Sequence, residues 1–261
     1  MIVQAPAKVN LVLRVGPLRS DGYRQLSTLF QAIDLCDTLD IEPGLETAIE
    51  GMPGDTLVRA ALDALGERAR VRIEKRIPVA GGLGGGSSDA GAVLRALRGE
   101  RTANELHEIA RGLGADVPFF LSGCETAIGT GRGDRIHALP EFPRRHAFVL
   151  VPSARGLSTA EVFRHAVENE VFAAVHGDLV RRVHTARSAR DVAAMVVNEL
   201  QPAVLDLRPE LAGPLAALHE AGALATAVSG SGPTVFGVFE GRDEAARAAS
   251  SIPGGTAAAP L

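Results

Sequence analysis

Five glycines in six positions, Gly81, Gly82, Gly84, Gly85 and Gly86 around Leu83, form the stretch of this 261-residue chain best suited to chemistry. The full segment reads Pro78-Val79-Ala80-Gly81-Gly82-Leu83-Gly84-Gly85-Gly86-Ser87-Ser88. Without side chains a backbone can wrap an anion and reach the positive angles that such a concavity needs. Where the loop opens a helix, free N–H groups and the positive end of the helix dipole favour phosphate at the same point. The hydroxyls of Ser87 and Ser88 suit a phosphate, its magnesium or the helix cap equally well, and all three roles stay open. A Walker loop requires Gly-Lys-Ser/Thr at its end, and Gly86 is followed by Ser87 with no lysine. The dinucleotide fingerprint fails as well, because counting from Gly82 or Gly84 puts Ser87 or Asp89 at its third glycine.

The elements that must position this loop are legible on either side. Val71, Ile73 and Ile77 alternate with Arg72, Glu74 and Arg76, the period of a strand, and Lys75 on it reads as a surface residue. Ala90, Val93, Leu94 and Leu97 then recur at helical spacing, with the helix expected to begin at Ser87, Ser88 and Asp89. A flexible linker would not be bracketed in this way. A second alternating run, Val9 to Val15, starts next to Lys8. Thr102 with Glu105 makes a capping box, and Gly112 and Gly114 end that helix just before Ala115-Asp116-Val117-Pro118-Phe119-Phe120.

Pro140, Pro143 and Pro152 mark a boundary between residues 140 and 156 around the apolar run Ala147 to Val151. Beyond it, Ser158 with Glu161 caps a helix, and apolar-periodic segments over 188–205 and 209–221 read as helical. A second glycine and serine turn, Ser229 to Pro233, leads into a strand-like run from Val235 to Phe239. Residues 253–261 read as a loose tail.

Composition narrows the function classes. A net charge of -4 lacks the basic field of a nucleic-acid or anionic-membrane binder, and an aromatic content of 4% offers no base-stacking platform. Residues 1–16 mix Gln4, Lys8, Asn10 and Arg14 into their apolar residues, unlike a signal peptide or spanning helix, so a cytoplasmic protein is expected. Cys36 and Cys124 read as reduced thiols, and the seven histidines are scattered without metal-ligand spacing. Lys8 and Lys75 are the only lysines among 27 basic residues, so Lys8 stands where a compact point charge, not a planar guanidinium, is suited.

Three motifs, Pro6-Ala7-Lys8-Val9-Asn10-Leu11, the loop Pro78 to Ser88 and Ser229-Gly230-Ser231-Gly232-Pro233-Thr234, resemble in order the three motifs of the GHMP kinase superfamily. Asp21-Gly22-Tyr23, Thr28-Leu29-Phe30, the segment Leu113 to Phe120 and Asn198-Glu199-Leu200 are similar, within it, to the family that phosphorylates a cytidine diphosphate-linked alcohol. The resemblance implies an α+β fold of two domains, residues 1–145 for ATP and 146–261 C-terminal, with the active site in the cleft between them. It implies ATP as phosphoryl donor with Mg2+, a cytidine diphosphate-linked small-molecule substrate, no nucleic-acid or membrane partner, and a monomer or homodimer. It makes Asp116 the base for the acceptor hydroxyl and Lys8 its catalytic companion. Asn10 and Asp21 frame the substrate, with a turn role ahead of Gly22 also open to Asp21, and Tyr23 and Phe163 hold the cytosine, with core packing also open to Phe163. Arg24 departs from the family's usual histidine and brings its backbone, or its side chain, to the base. Two other readings stay open, a kinase of mevalonate or homoserine type and a catalytically silent nucleotide-binding regulator.

Overall fold

The computed structural model describes residues 1–52, 57–166 and 172–261. Strand β1 (Ile2–Leu18) is longer than its alternating core suggests and is buried on both faces from Ala7 to Leu13. Continuous burial marks a central strand, and it makes Lys8 and Asn10 unusual, since buried polar side chains need partners. β1 lies antiparallel to β2 (Arg24–Pro43), with Lys8 opposite Ala32 and Asn10 opposite Phe30. β3 (Ala48–Glu50), α1 (Leu57–Leu65) and β4 (Ala69–Glu74) follow. Then come α2 (Gly85–Ala96), α3 (Ala103–Leu113), α4 (Val117–Ser122), β5 (Thr126–Thr130) and β6 (Arg135–Ala138). The long β2 serves two neighbours in turn: Thr28–Gln31 pairs with β5, and Thr38–Pro43 pairs with β4. The apolar faces of α1, α2 and α3 pack with β4 around Leu62, Val71, Val93 and Leu106.

The C-terminal part carries β7 (Ala147–Val151), α5 (Thr159–His165), α6 (Phe172–Thr185), α7 (Ala189–Ala193), β8 (Val197–Asn198) and α8 (Gln201–Leu207). It continues with α9 (Ala212–Glu220), β9 (Ala225–Val228), β10 (Val235–Phe239), α10 (Arg242–Ser251) and β11 (Thr256–Ala258). A second antiparallel sheet runs β11-β7-β10-β9, and one apolar cluster joins Val9, Leu11 and Leu29 of the first sheet to Phe148, Leu150 and Phe236 of the second. The arrangement is α+β, and no helix among the described residues is long and apolar enough to cross a membrane.

Four expectations change. The segment 188–205 is two short helices interrupted by β8, which pairs in parallel with Val12 and Leu13 of β1. The expected loose tail is ordered: β11 pairs with β7, and Pro260 bridges to Ile33. Helix α2 begins at Gly85, two residues early, because Gly84 adopts the left-handed conformation (φ 74°) as its N-cap. Lys75 lies beyond the strand end and inward, donating to Asp37 Oδ2 at 2.5 Å and Asp89 Oδ2 at 2.8 Å. Burial opposes its charge, yet the two carboxylates outweigh that and raise its pKa above the usual lysine value. The capping box at Thr102 and Glu105 is present as expected, and Ser158 accepts from the Glu161 backbone N–H.

Candidate active site

Lys8 has three donor hydrogens on a buried side chain, and the structure supplies three acceptors. Nζ donates to Asn10 Oδ1 at 2.6 Å and to the Gly82 carbonyl at 3.0 Å, and lies 3.5 Å from Asp116 Oδ2. The Asn10 amide is oriented in turn, since Nδ2 donates to Thr28 Oγ1 at 2.7 Å and that hydroxyl donates to the Val12 carbonyl. Residues 8 and 10 share one face of β1 because side chains alternate. Asp116 occupies the N-cap position of α4 without making a side-chain cap, so its carboxylate is left for Lys8 and the cleft.

The glycine loop is tied down on both flanks. Lys8 N–H donates to the Leu83 carbonyl at 3.0 Å, Ser229 Oγ donates to the Gly82 carbonyl at 3.1 Å, and Thr234 N–H donates to the Gly81 carbonyl at 3.1 Å. A Cβ at Gly82 would stand 2.3 Å from the Ser229 carbonyl oxygen, so only glycine permits this junction of loop and third motif. Asn198 holds the opposite side of that motif, donating to the Val228 and Gly230 carbonyls at 2.8 and 2.7 Å. Glu199 accepts from Val15 N–H and from Arg14, which fastens the same segment to β1.

These elements enclose a cavity of about 920 Å³. Lys8, Asn10, Ala80, Gly82, Gly84, Ser87 and Asp116 line it, as do Tyr23, Arg24 and Phe163. Other expected site residues stand back from it. Asp21 is on an exposed turn, where it accepts from Arg19 and from Tyr23 N–H; the Arg19 hydrogen bond leads in holding its carboxyl down at about 2. Its contribution is to shape the turn that carries Tyr23. Pro78 and the exposed Val79 flank the cavity, Gly81 and Leu83 are buried beneath it, and Gly85 and Gly86 form the first turn of α2. Ser88 is fully buried, and its hydroxyl has no hydrogen-bond partner among the described residues.

Several lining residues escaped prediction: Thr28, Phe30, Arg132, Arg164, Gly230, Ser231 and Gly232. For residues 230–232 the signal was present in the glycine and serine turn. Thr28 and Phe30 lay in the recognised stretch Thr28-Leu29-Phe30 without a role attached to either, and Arg132 offered only a Gly-Arg-Gly-Asp turn.

Residues 55–124 match the family described as GHMP kinases N terminal domain, and residues 179–255 match GHMP kinases C terminal. The chain is 41% identical to the 4-diphosphocytidyl-2-C-methyl-D-erythritol kinase of Salinispora tropica, over 96% of this chain and 87% of that one. It is 43% identical to the enzyme of the same name from Streptomyces coelicolor, over 97% and 90%. A crystal structure of 4-(cytidine 5'-diphospho)-2C-methyl-D-erythritol kinase superposes with a TM-score of 0.77 at 38% identity, covering 99% of this chain and 98% of that one. A homoserine kinase from Cytophaga hutchinsonii (TM-score 0.71, 17% identity) and a mevalonate kinase (0.67, 14%) share the fold alone. With near-complete coverage at such identity, the chain belongs to the 4-diphosphocytidyl-2-C-methyl-D-erythritol kinase family of the GHMP kinases.

Proposed function

We propose that this protein transfers the terminal phosphoryl group of ATP to the tertiary 2-hydroxyl of 4-diphosphocytidyl-2-C-methyl-D-erythritol, giving the 2-phosphate and ADP, a step of the non-mevalonate route to isoprenoid precursors. The observation that carries the mechanism is the 3.5 Å pairing of Lys8 Nζ with Asp116 Oδ2 in the cavity bordered by Gly82, Gly84 and Ser87.

Phosphoryl transfer passes through a loose transition state, so alignment and charge neutralisation dominate. The N–H groups at the start of α2 and the glycine loop hold the phosphates. The bond from the bridging oxygen to the γ-phosphorus breaks, the acceptor oxygen bonds that phosphorus, and the hydroxyl proton passes to Asp116. Lys8, fixed by Asn10 and the Gly82 carbonyl, orients the acceptor or Asp116 and offsets developing negative charge. Tyr23 and Phe163 stack the cytosine, with the residue 24 backbone at its hydrogen-bonding edge.

Magnesium would accompany the nucleotide and offset charge on the phosphates. The hydroxyls of Ser87 and the unpartnered Ser88 are the protein donors at hand. A division near residue 145 into an ATP-binding and a C-terminal domain, and a cytoplasmic site of action, complete the reading. A coupled ADP-release assay with ATP and, in turn, the cytidine-linked alcohol, mevalonate and homoserine tests it. Turnover confined to the first is expected, and turnover of mevalonate or homoserine in its place rejects the assignment.

A further inference from the structure

We propose that Arg132 is a positioning residue of the acceptor site, whose guanidinium holds the Tyr23 ring in the attitude that stacks a pyrimidine. The proposal rests on the reading of a cytidine-linked acceptor and adds to it a residue outside the recognised motifs.

Tyr23 is a poor platform by itself. It is 52% exposed and follows Gly22, whose positive φ turns the chain outward, so it lacks the packing that fixes a core aromatic. An exposed ring must lose rotamer freedom when a base stacks on it, which lowers affinity unless it is ordered beforehand. The structure provides that order through Arg132, whose guanidinium carbon lies over the Tyr23 ring, 5.1 Å from its centroid, in the geometry of a cation–π contact. Both residues line the cavity that holds Lys8 and Asp116.

Arg132 is itself built in. Its Nε donates to Asp134 Oδ2 at 3.0 Å, its backbone N–H donates to Asp134 Oδ1 at 3.3 Å, and its Nη2 donates to the Arg111 carbonyl. Asp134 is 1% exposed and also accepts from Arg111 Nε at 2.9 Å. Burial works against its charge, and the two arginines outweigh that and keep its pKa below the usual aspartate value. Gly131 and Gly133, both at positive φ, fold the turn around this carboxylate, and a Cβ at Gly131 would stand 2.7 Å from Asp134 Oδ1. The turn is joined directly to the strand that follows Tyr23, because Leu26 N–H donates to the Gly131 carbonyl at 2.6 Å. With the guanidinium on one face, the other face of the ring is the one offered to a base. The buried carboxylate thus acts on the base through Arg132 and then Tyr23.

The chain supplies its own probe, since Tyr23 is its only tyrosine and it has no tryptophan. Tyrosine fluorescence of the full chain therefore reports this ring alone. Cytidine diphosphate is titrated into wild type, R132A and R132K, following quenching and anisotropy, alongside steady-state kinetics and thermal melts. For R132A the expected result is lower anisotropy in the free protein and a roughly three- to ten-fold rise in the Kd for cytidine diphosphate and the KM for the acceptor. The kcat and the KM for ATP should stay near wild type, and R132K should recover part of the affinity. Quenching in wild type with an unchanged Kd in R132A and R132K overturns the role of Arg132 and leaves the cytidine reading intact. No quenching in wild type removes the cytidine pocket and this proposal with it. Equal losses in kcat and both KM values with a lowered melting temperature would make Arg132 a purely structural residue and overturn the proposal.

Discussion

Lys8 Nζ and Asp116 Oδ2 stand 3.5 Å apart although one belongs to the first strand and the other to the start of α4. The lysine is almost fully buried and the carboxylate is one-third exposed, so the pair opens toward the cleft through the acid. A base that takes a proton from an incoming hydroxyl needs that access, while the cation that steadies it does not.

Asp116→Asn should retain ATP binding and lose about 10²- to 10⁴-fold in kcat, the usual worth of a positioned acid-base group. Steady-state kinetics at saturating acceptor, together with ATP binding by calorimetry, check this. Near-normal kcat would remove Asp116 as the base.

Lys8→Met fills similar volume without charge and leaves Asn10 Oδ1 without its lysine donor, while the Gly82 carbonyl keeps the Ser229 hydroxyl. The loss in kcat should exceed the loss in ATP affinity, with a fall in stability of about 1–3 kcal/mol from the unsatisfied Asn10 oxygen. If ATP affinity alone falls, Lys8 is a phosphate ligand and takes no part in handling the acceptor.

Gly84 couples the loop to this pair. Its φ of 74° disfavours any side chain, and a Cβ there would meet the Phe120 ring at 2.9 Å and Lys8 Cε at 3.2 Å. Gly84→Val should weaken ATP binding through the blocked backbone approach and cost about 1–2 kcal/mol or more in stability from the left-handed position. A folded variant with unchanged ATP affinity would take the loop out of the nucleotide site.

Much of this site was legible because its signals are local. Glycine density, the helical spacing after it and the capping box at Thr102 are properties of neighbouring residues. What was misread depends on distant partners. Lys75 looked like a surface residue on an alternating strand, and only the fold brings Asp37 from β2 and Asp89 from α2 to it. Ala257 and Ala258 carry weak strand preference, yet β7 offers them and Thr256 an edge to pair with. The break at β8 was hidden because Val196 and Val197 continue the apolar period, whereas Asn198 is needed to hold the Gly230 turn. Arg132 was invisible for the same reason, its meaning lying in a contact with Tyr23 across the sheet edge.

His146, at the start of β7, is 2% exposed, packs edge-on against Phe148, and has neither ring nitrogen hydrogen-bonded among the described residues. Burial pushes its pKa down to about 4. The folded protein keeps it neutral while the unfolded chain takes up a proton near the ordinary value of about 6.5, so stability is full above that pH. It should fall by up to about 3 kcal/mol as the pH drops from about 6.5 to about 4. Urea denaturation across this range, compared with His146→Leu, checks it: wild type should lose stability relative to the variant only on the acid side. Parallel curves would show that His146 is bonded or hydrated in the native state.

Phosphorus NMR of the reaction of ATP with the cytidine-linked alcohol tests the central claim most directly, because it shows where the phosphoryl group goes. The account predicts a new phosphomonoester signal on the tertiary carbon's oxygen, formed one for one with ADP, with the substrate's diphosphate signals retained and no such signal within the same time from Asp116→Asn. Release of inorganic phosphate alone, or a phosphomonoester on another hydroxyl, would contradict it.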